Sequence, residues 1–172
     1  MAADLVEDPV LRQRYRLTEE GNVLRVEVWA DPGARAPDHF HPHIEERFEV
    51  LEGEVTFRVE GEKRKAGPGE QLVVAPGVRH GFQNDGDAVA YFAADVDPAS
   101  NMKRFFEESA ALSRAGRFLR PGIPKGIRGT LEASEFAERH SGDTVMSFPP
   151  RFVQRLLYPP LARLARRRSK RA

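Results

Sequence analysis

Apolar and polar residues alternate along the first two thirds of the chain. Leu24, Val26 and Val28 interleave with Arg25, Glu27 and Trp29, and this period of two predicts a half-buried strand. Residues 14–17 alternate in the same way, with a turn at Glu20, Gly21 and Asn22 between the two strands. A strand is predicted over 47–51, a turn at Glu52 and Gly53, and a returning strand with Val55, Phe57 and Val59 on one face. The chain turns again at Gly61 and Glu62 and breaks at Gly67-Pro68-Gly69. Further short strands are predicted over 71–74, 78–83 and 89–95, separated by Ala75-Pro76-Gly77 and Asn84-Asp85-Gly86. Short strands punctuated by Gly and Pro every 8–12 residues or so predict an antiparallel sandwich or barrel.

The period changes at Asp97-Pro98, where Asp97 as N-cap and Pro98 as first helical residue predict a helix start. Met102, Phe105, Phe106, Ser109 and Leu112 then recur at helical spacing, and Gly116 is the expected C-cap. A Pro/Gly-rich connector covers 120–129, and a second helix is predicted over 130–140 with Ala133, Phe136 and Ala137 on one face. Residues 141–150 read as irregular. A last helix is expected over 150–158, broken by Pro159 and Pro160 and resumed over 161–165. The expected organisation is a β-barrel with its N-terminal strand over 1–97, followed by a helical C-terminal extension over 98–172 that ends in a basic tail.

The 172 residues are 40% hydrophobic and 31% charged, enough for one cored domain and incompatible with wholesale disorder. No run approaches the roughly 18 apolar residues of a membrane span. The first ten residues lack the basic and apolar regions of a secretory signal. There is no cysteine, which excludes disulfides, thiolate zinc, iron–sulfur clusters and thiol nucleophiles, and fits a cytoplasmic location. The net charge of +1 is unevenly spread. Residues 151–172 hold seven Arg, one Lys and no acid, a charge of +8, which leaves the preceding 150 at −7. Net positive charge is thus confined to the tail, and nucleic-acid binding by the body is not expected. The tail's expected states are a solvated end beyond Arg166, docking of 150–158 on the body, or contact with a membrane surface.

Candidate chemistry lies with the histidines. Three of the five fall at His39, His41 and His43. The spacing runs Gly33, five residues, His39, one residue, His41, four residues, Glu46, six residues, Gly53. A second series runs Gly69, six residues, Pro76-Gly77, two residues, His80, three residues, Asn84. Together these resemble the two signature motifs of the cupin superfamily, over roughly residues 14–96. One departure is Ala75, where the family usually has Pro, with Pro76 displaced by one position. The resemblance implies a mainly β fold, a double-stranded β-helix or jelly-roll cupin barrel with C-terminal α-helices, and a homodimer. It also implies that the family's four metal-binding positions are filled, by His39, His41, Glu46 and His80.

The residue types make independent sense of that set. His39 and His41 are two apart, so on a strand both rings face one way. Glu46 shares a strand face with Phe48 and Val50, so its carboxylate enters an apolar interior, where it needs a partner. Three imidazoles and a carboxylate suit one divalent transition metal (Fe, Mn, Ni, Cu or Zn). Glu46 is also the candidate catalytic proton acceptor. Candidate pocket residues are Phe48, Gln71, Phe82 and Asn84, of which Gln71 is the polar side chain expected to reach inward. His43 reads as solvent-side or as a neighbour of the ligands, and His140 as a surface residue at a helix end. The expected function is a metal-dependent enzyme on a small organic molecule, of dioxygenase, isomerase or decarboxylase type. The alternative is a non-catalytic binding or sensing module.

Overall fold

The computed structural model describes residues 5–169. The chain opens with strands β1 (Val6–Asp8), β2 (Gln13–Glu20) and β3 (Val23–Ala30), then β4 (Arg35–Phe40), β5 (Glu45–Glu52) and β6 (Val55–Val59). Strands β7 (Glu62–Ala66), β8 (Gln71–Val74), β9 (His80–Gln83) and β10 (Ala90–Asp97) complete the barrel. Helix α1 (Met102–Arg114), the ribbon β11 (Phe118–Arg120) and β12 (Ile123–Pro124), helix α2 (Gly126–Arg139), strand β13 (Val145–Met146) and helix α3 (Arg151–Ser169) follow. The predicted strands all form. Strands β1, β7 and β13 carry too little alternation to be read from sequence.

Two antiparallel sheets face each other. One runs β1-β2-β3-β10-β5-β8 and the other β13-β4-β9-β6-β7. Central β10 sets the register of the first, with Phe92 opposite both Val28 and Val50, and Ala94 opposite Val26 and Phe48. The inward positions predicted from period two form the core: Leu24, Val26, Val28, Phe48, Val50 and Phe92 are all buried. Tilted and edge-on aromatic contacts bridge the sheets, with Phe48 and Phe57 centroids 5.1 Å apart and Phe82 and Phe92 4.8 Å apart. This rigid stack fixes the gap between the sheets at the end where the histidines lie.

The helical part departs from the sequence-based expectation in three ways. Asp97 does not cap a helix, because it is the last residue of β10, paired with Glu45, and α1 starts only at Met102. Helix α2 begins four residues early, at Gly126, so the last four of the ten predicted connector residues are helical. Helix α3 runs unbroken through Pro159 and Pro160 to Ser169. Each proline removes one backbone donor, yet Ala162 and Ala165 are buried and Arg166 pairs with Glu138 of α2 at 2.8 Å. Packing on α2 therefore holds the helix past the break. Arg167 and Arg168 are exposed, as expected of a solvated end, but helical, since α3 continues through Ser169; the expectation for Lys170 and Arg171 lies outside the described residues. Docking of 150–158 is only partial. Phe152 and Leu156 are 74% and 72% exposed, while Val153, Gln154 and Tyr158 turn inward. Among the described residues no helix is long and apolar enough to cross a membrane.

The end of α1 follows the predicted glycine stop. Gly116 has φ +67°, its N–H bonds to the Ser113 carbonyl at 3.0 Å, and the Arg117 N–H reaches back to Leu112 at 3.0 Å. This paired closure needs a left-handed residue at 116. A Cβ there would meet no atom within 4 Å, so replacement adds backbone strain alone. Gly116→Ala is expected to destabilise by about 1 kcal/mol, a fall of roughly 2–4 °C in melting temperature for a chain of this size. An unchanged melting temperature would show that this closure contributes nothing.

Candidate metal centre

The two sheets meet at four side chains. His39 is on β4, His41 follows directly after it, His80 opens β9, and Glu46 comes from β5 of the opposite sheet. His39 and His80 are directly paired across β4 and β9. Ring centroids are 4.4 Å apart for His39 and His80, 4.9 Å for His39 and His41, and 5.4 Å for His41 and His80. One donor atom from each of the four lies within 4.8 Å of the others. His41, Glu46 and His80 are 2%, 5% and 4% exposed, and His39 is half-buried at the rim.

Each imidazole is oriented by the backbone. Nδ1 of His39 donates to the Pro37 carbonyl at 2.8 Å, that of His41 to Asp143 at 2.7 Å, and that of His80 to Val78 at 3.0 Å. A proton on Nδ1 leaves Nε2 with a lone pair, the tautomer suited to metal binding. Nε2 of His80 lies 2.6 Å and that of His41 3.4 Å from Glu46 Oε2. None of these three atoms is aligned for a hydrogen bond, and all three are buried without a partner. Buried polar atoms left unmatched are rare and costly. A divalent cation would satisfy them together, so the residues fit the metal.

Electrostatics agree with that fit. Burial disfavours the Glu46 charge, but His41 and His80 outweigh it and hold the carboxyl well below its usual range. The His41 imidazole is raised, because Glu46 more than offsets the opposing effect of burial. His39 is pushed down to about 3, first by burial and then by its neighbours His80 and His41. The site therefore presents an ionised carboxylate beside a neutral imidazole.

The cluster lies in the wall of a cavity of about 390 Å³ between the barrel mouth and the three helices. Phe48 and Phe82 line it as expected, joined by Phe92, Phe105, Phe106 and Phe136. Two expected pocket residues do not. Gln71 is exposed, because it sits on edge strand β8 with its side chain on the solvent face. Asn84 is buried but committed to structure, donating to the carbonyls of Ala30 and Ala88 and accepting from the Gly86 N–H. His43 is exposed and outside the cluster. A larger depression of about 550 Å³ beside Gly116, Lys125 and Ile127 is open to solvent and lined by no acid or imidazole.

Sequence reasoning missed the contribution of the extension. Strand β13 pairs with β4, placing Val145 opposite Phe40 and Met146 opposite His39. The turn before it supplies the Asp143 carbonyl to His41, with Thr144 Oγ1 3.3 Å from the same nitrogen. His140, expected on the surface, is 2% exposed and lines the cavity, because α2 packs it between Phe105 and Phe136. Its Nε2 lies 3.0 Å from Glu108 Oε2. The helical spacing of Phe136 and His140 was a usable signal.

Comparison with known proteins agrees with this geometry. The facing sheets and the histidine–carboxylate cluster define a double-stranded β-helix with a candidate metal centre. Residues 26–96 match the Cupin_2 family, described as a cupin domain. Over these residues the protein carries a cupin domain. It is 28% identical over 106 residues to "Polyketide synthase CurC" of Streptomyces cyaneus, covering 54% of this chain and 69% of that one. It is 31% identical over 67 residues to "Tetracenomycin polyketide synthase protein TcmJ" of Streptomyces glaucescens, covering 39% of this chain and 45% of that one. Among solved structures, an RmlC-like cupin from Shewanella frigidimarina superposes with a TM-score of 0.53 at 22% identity, over 59% of this chain and 89% of that one. KdgF from Halomonas sp. gives 0.51 at 22% identity, over 58% and 90%. Both share the fold.

At the far side of the cavity, Glu108 also accepts from Arg104 at 2.7 Å and from Arg139 at 2.8 Å. Burial opposes its charge, but the bonds from His140, Arg104 and Arg139 bring it from 4.5 to about 2. Its folded-state value is thus depressed. The stability it contributes is present above pH 4.5 and is lost as the pH falls towards 2. Urea denaturation across this range is expected to show wild type and Glu108→Gln converging as the pH drops. A constant gap would contradict the assignment.

Proposed function

We propose that the protein is a metal-dependent enzyme acting on a small, largely apolar, ring-bearing molecule, in a reaction of dioxygenase, isomerase or decarboxylase type. In this reading one divalent transition metal is held by His39, His41, Glu46 and His80. The observation that carries it is the set of unmatched buried donor atoms in the wall of an aromatic cavity. When bound, such a metal supplies Lewis acidity or an oxygen-binding centre. The chain's own residues do the rest: the aromatic wall excludes water and fixes the ring, and Glu46 serves as ligand and as proton acceptor. The polyketide synthase names of both curated relatives support a substrate of the polyketide class.

Elemental analysis of the purified protein is expected to find about one transition-metal ion per chain, and His80→Ala is expected to lose it while remaining folded. Metal content should also fall at acid pH, as protons compete for the imidazoles. Full retention by His80→Ala would refute the ligand set. Mass spectrometry after incubation with aromatic polyketides tests catalysis. A modified product supports the enzyme, whereas tight binding without product identifies a binding module.

A second reading concerns α3 and rests on its outward face. Phe152 and Leu156 are exposed there beside Arg151, Arg155 and Arg163, and the helix carries no acid. Like charge opposes self-association through this face, and we propose an anionic lipid surface as its partner. The protein is expected to sediment with phosphatidylglycerol vesicles at low salt and to be released by high salt. No sedimentation at low salt would exclude this.

A further inference from the structure

The cavity wall holds a fourth imidazole, which the metal reading leaves unused. His140 closes α2, with its backbone N–H bonded to the Phe136 carbonyl at 3.1 Å. Its ring stands edge-on to Phe105, with centroids 5.5 Å apart and an interplanar angle of 87°, and lies against Phe136 at 4.8 Å. All three residues line the same cavity as the four-donor cluster.

The ring's two nitrogens differ. Nε2 is 3.0 Å from Glu108 Oε2, and Glu108 is itself fixed by Arg104 and Arg139. A carboxylate at that distance keeps the proton on Nε2, so Nδ1 of the neutral ring carries a lone pair. That Nδ1 is buried and has no hydrogen-bond partner. An acceptor shielded from water and left unmatched is unfavourable, and a donor from a ligand relieves it. The surroundings define the rest of that ligand. Phe105, Phe106, Phe136 and Phe92 offer apolar ring faces and edges, which suit a flat aromatic body.

His140 is also tied to the metal cluster by a single turn. Its carbonyl accepts from the N–H groups of Asp143 at 3.0 Å and Thr144 at 2.8 Å. Those two residues in turn contact His41 Nδ1. A short segment thus links His140 to the four-donor cluster along the cavity wall.

We propose that His140 is a ligand-binding residue whose Nδ1 accepts a hydrogen bond from a phenolic or enolic hydroxyl of the bound molecule. The substrate class is then a hydroxylated aromatic, held at the hydroxyl by His140 and presented to the four-donor cluster. This rests on the reading of the cavity as the substrate site.

The test uses 2-naphthol and 2-methoxynaphthalene, which share an aromatic body but differ in the donor hydroxyl. Both are titrated by calorimetry into the full-length metal-loaded protein. Wild type is expected to bind the naphthol about fivefold to tenfold more tightly than the ether, the effect of one hydrogen bond. His140→Gln keeps a group facing Glu108 but lacks the Nδ1 acceptor, and should erase the preference with metal content unchanged. His140→Asn places an oxygen near the Nδ1 position and should restore part of it. Equal binding by wild type, or a preference that survives in His140→Gln, would overturn the role of His140 and leave the metal centre standing. Failure of both compounds to bind would overturn the cavity reading and this anchor with it. Protein stripped of metal is expected to keep the preference, and its loss there would assign the hydroxyl to the metal site and overturn the role of His140.

Discussion

Three hydrogen bonds from imidazole Nδ1 to backbone carbonyls set the chemistry of this protein. They hold His39, His41 and His80 so that the Nε2 lone pairs converge on the Glu46 carboxylate. The donor atoms of His41, His80 and Glu46 are held out of water without a hydrogen-bond partner, which is costly. The arrangement persists because the aromatic stack behind it, Phe48 on Phe57 and Phe82 on Phe92, keeps the two sheets at a fixed separation. The core is therefore a spacer as much as a source of stability.

One of those three carbonyls comes from outside the barrel. Asp143 belongs to the turn after α2, and β13 adds a strand to the edge that carries His39. An exposed β4 edge would have open backbone groups beside the ligands. The extension covers that edge, orients His41 and roofs the cavity with α1, α2 and α3. It also changes what the cavity is. The barrel contributes the donor atoms together with Phe48, Phe82 and Phe92, whereas the helical part adds Phe105, Phe106, Phe136 and a fourth imidazole at His140. The family match covers the barrel alone, so the residues beyond it are what set this cavity apart from a bare cupin domain.

The barrel was legible because its signals are local. Period two in Leu24, Val26 and Val28, glycine at the turns and the fixed spacing from His39 to Gly53 each act over a few residues. The same locality explains the failures. Gln71 was given an inward orientation that its place on an edge strand does not support. Asn84 has the right parity for the cavity, but its amide is consumed by the loop beside it. His140 reads as a surface residue until α1 and α2 are brought together, since its burial depends on Phe105, thirty-five positions away. Pro159 and Pro160 predict a break, and only contact with α2 explains why α3 continues. For His140 and for α3 the deciding partner is distant in sequence.

The central claim is that the convergent donors form a single metal centre. Anomalous diffraction from crystals of the metal-loaded protein, collected at the edge of the metal found by elemental analysis, tests it most directly. One strong peak bonded to Nε2 of His39, His41 and His80 and to a Glu46 carboxylate oxygen is the expected result. No peak at this position, or one seated on other side chains, would contradict it.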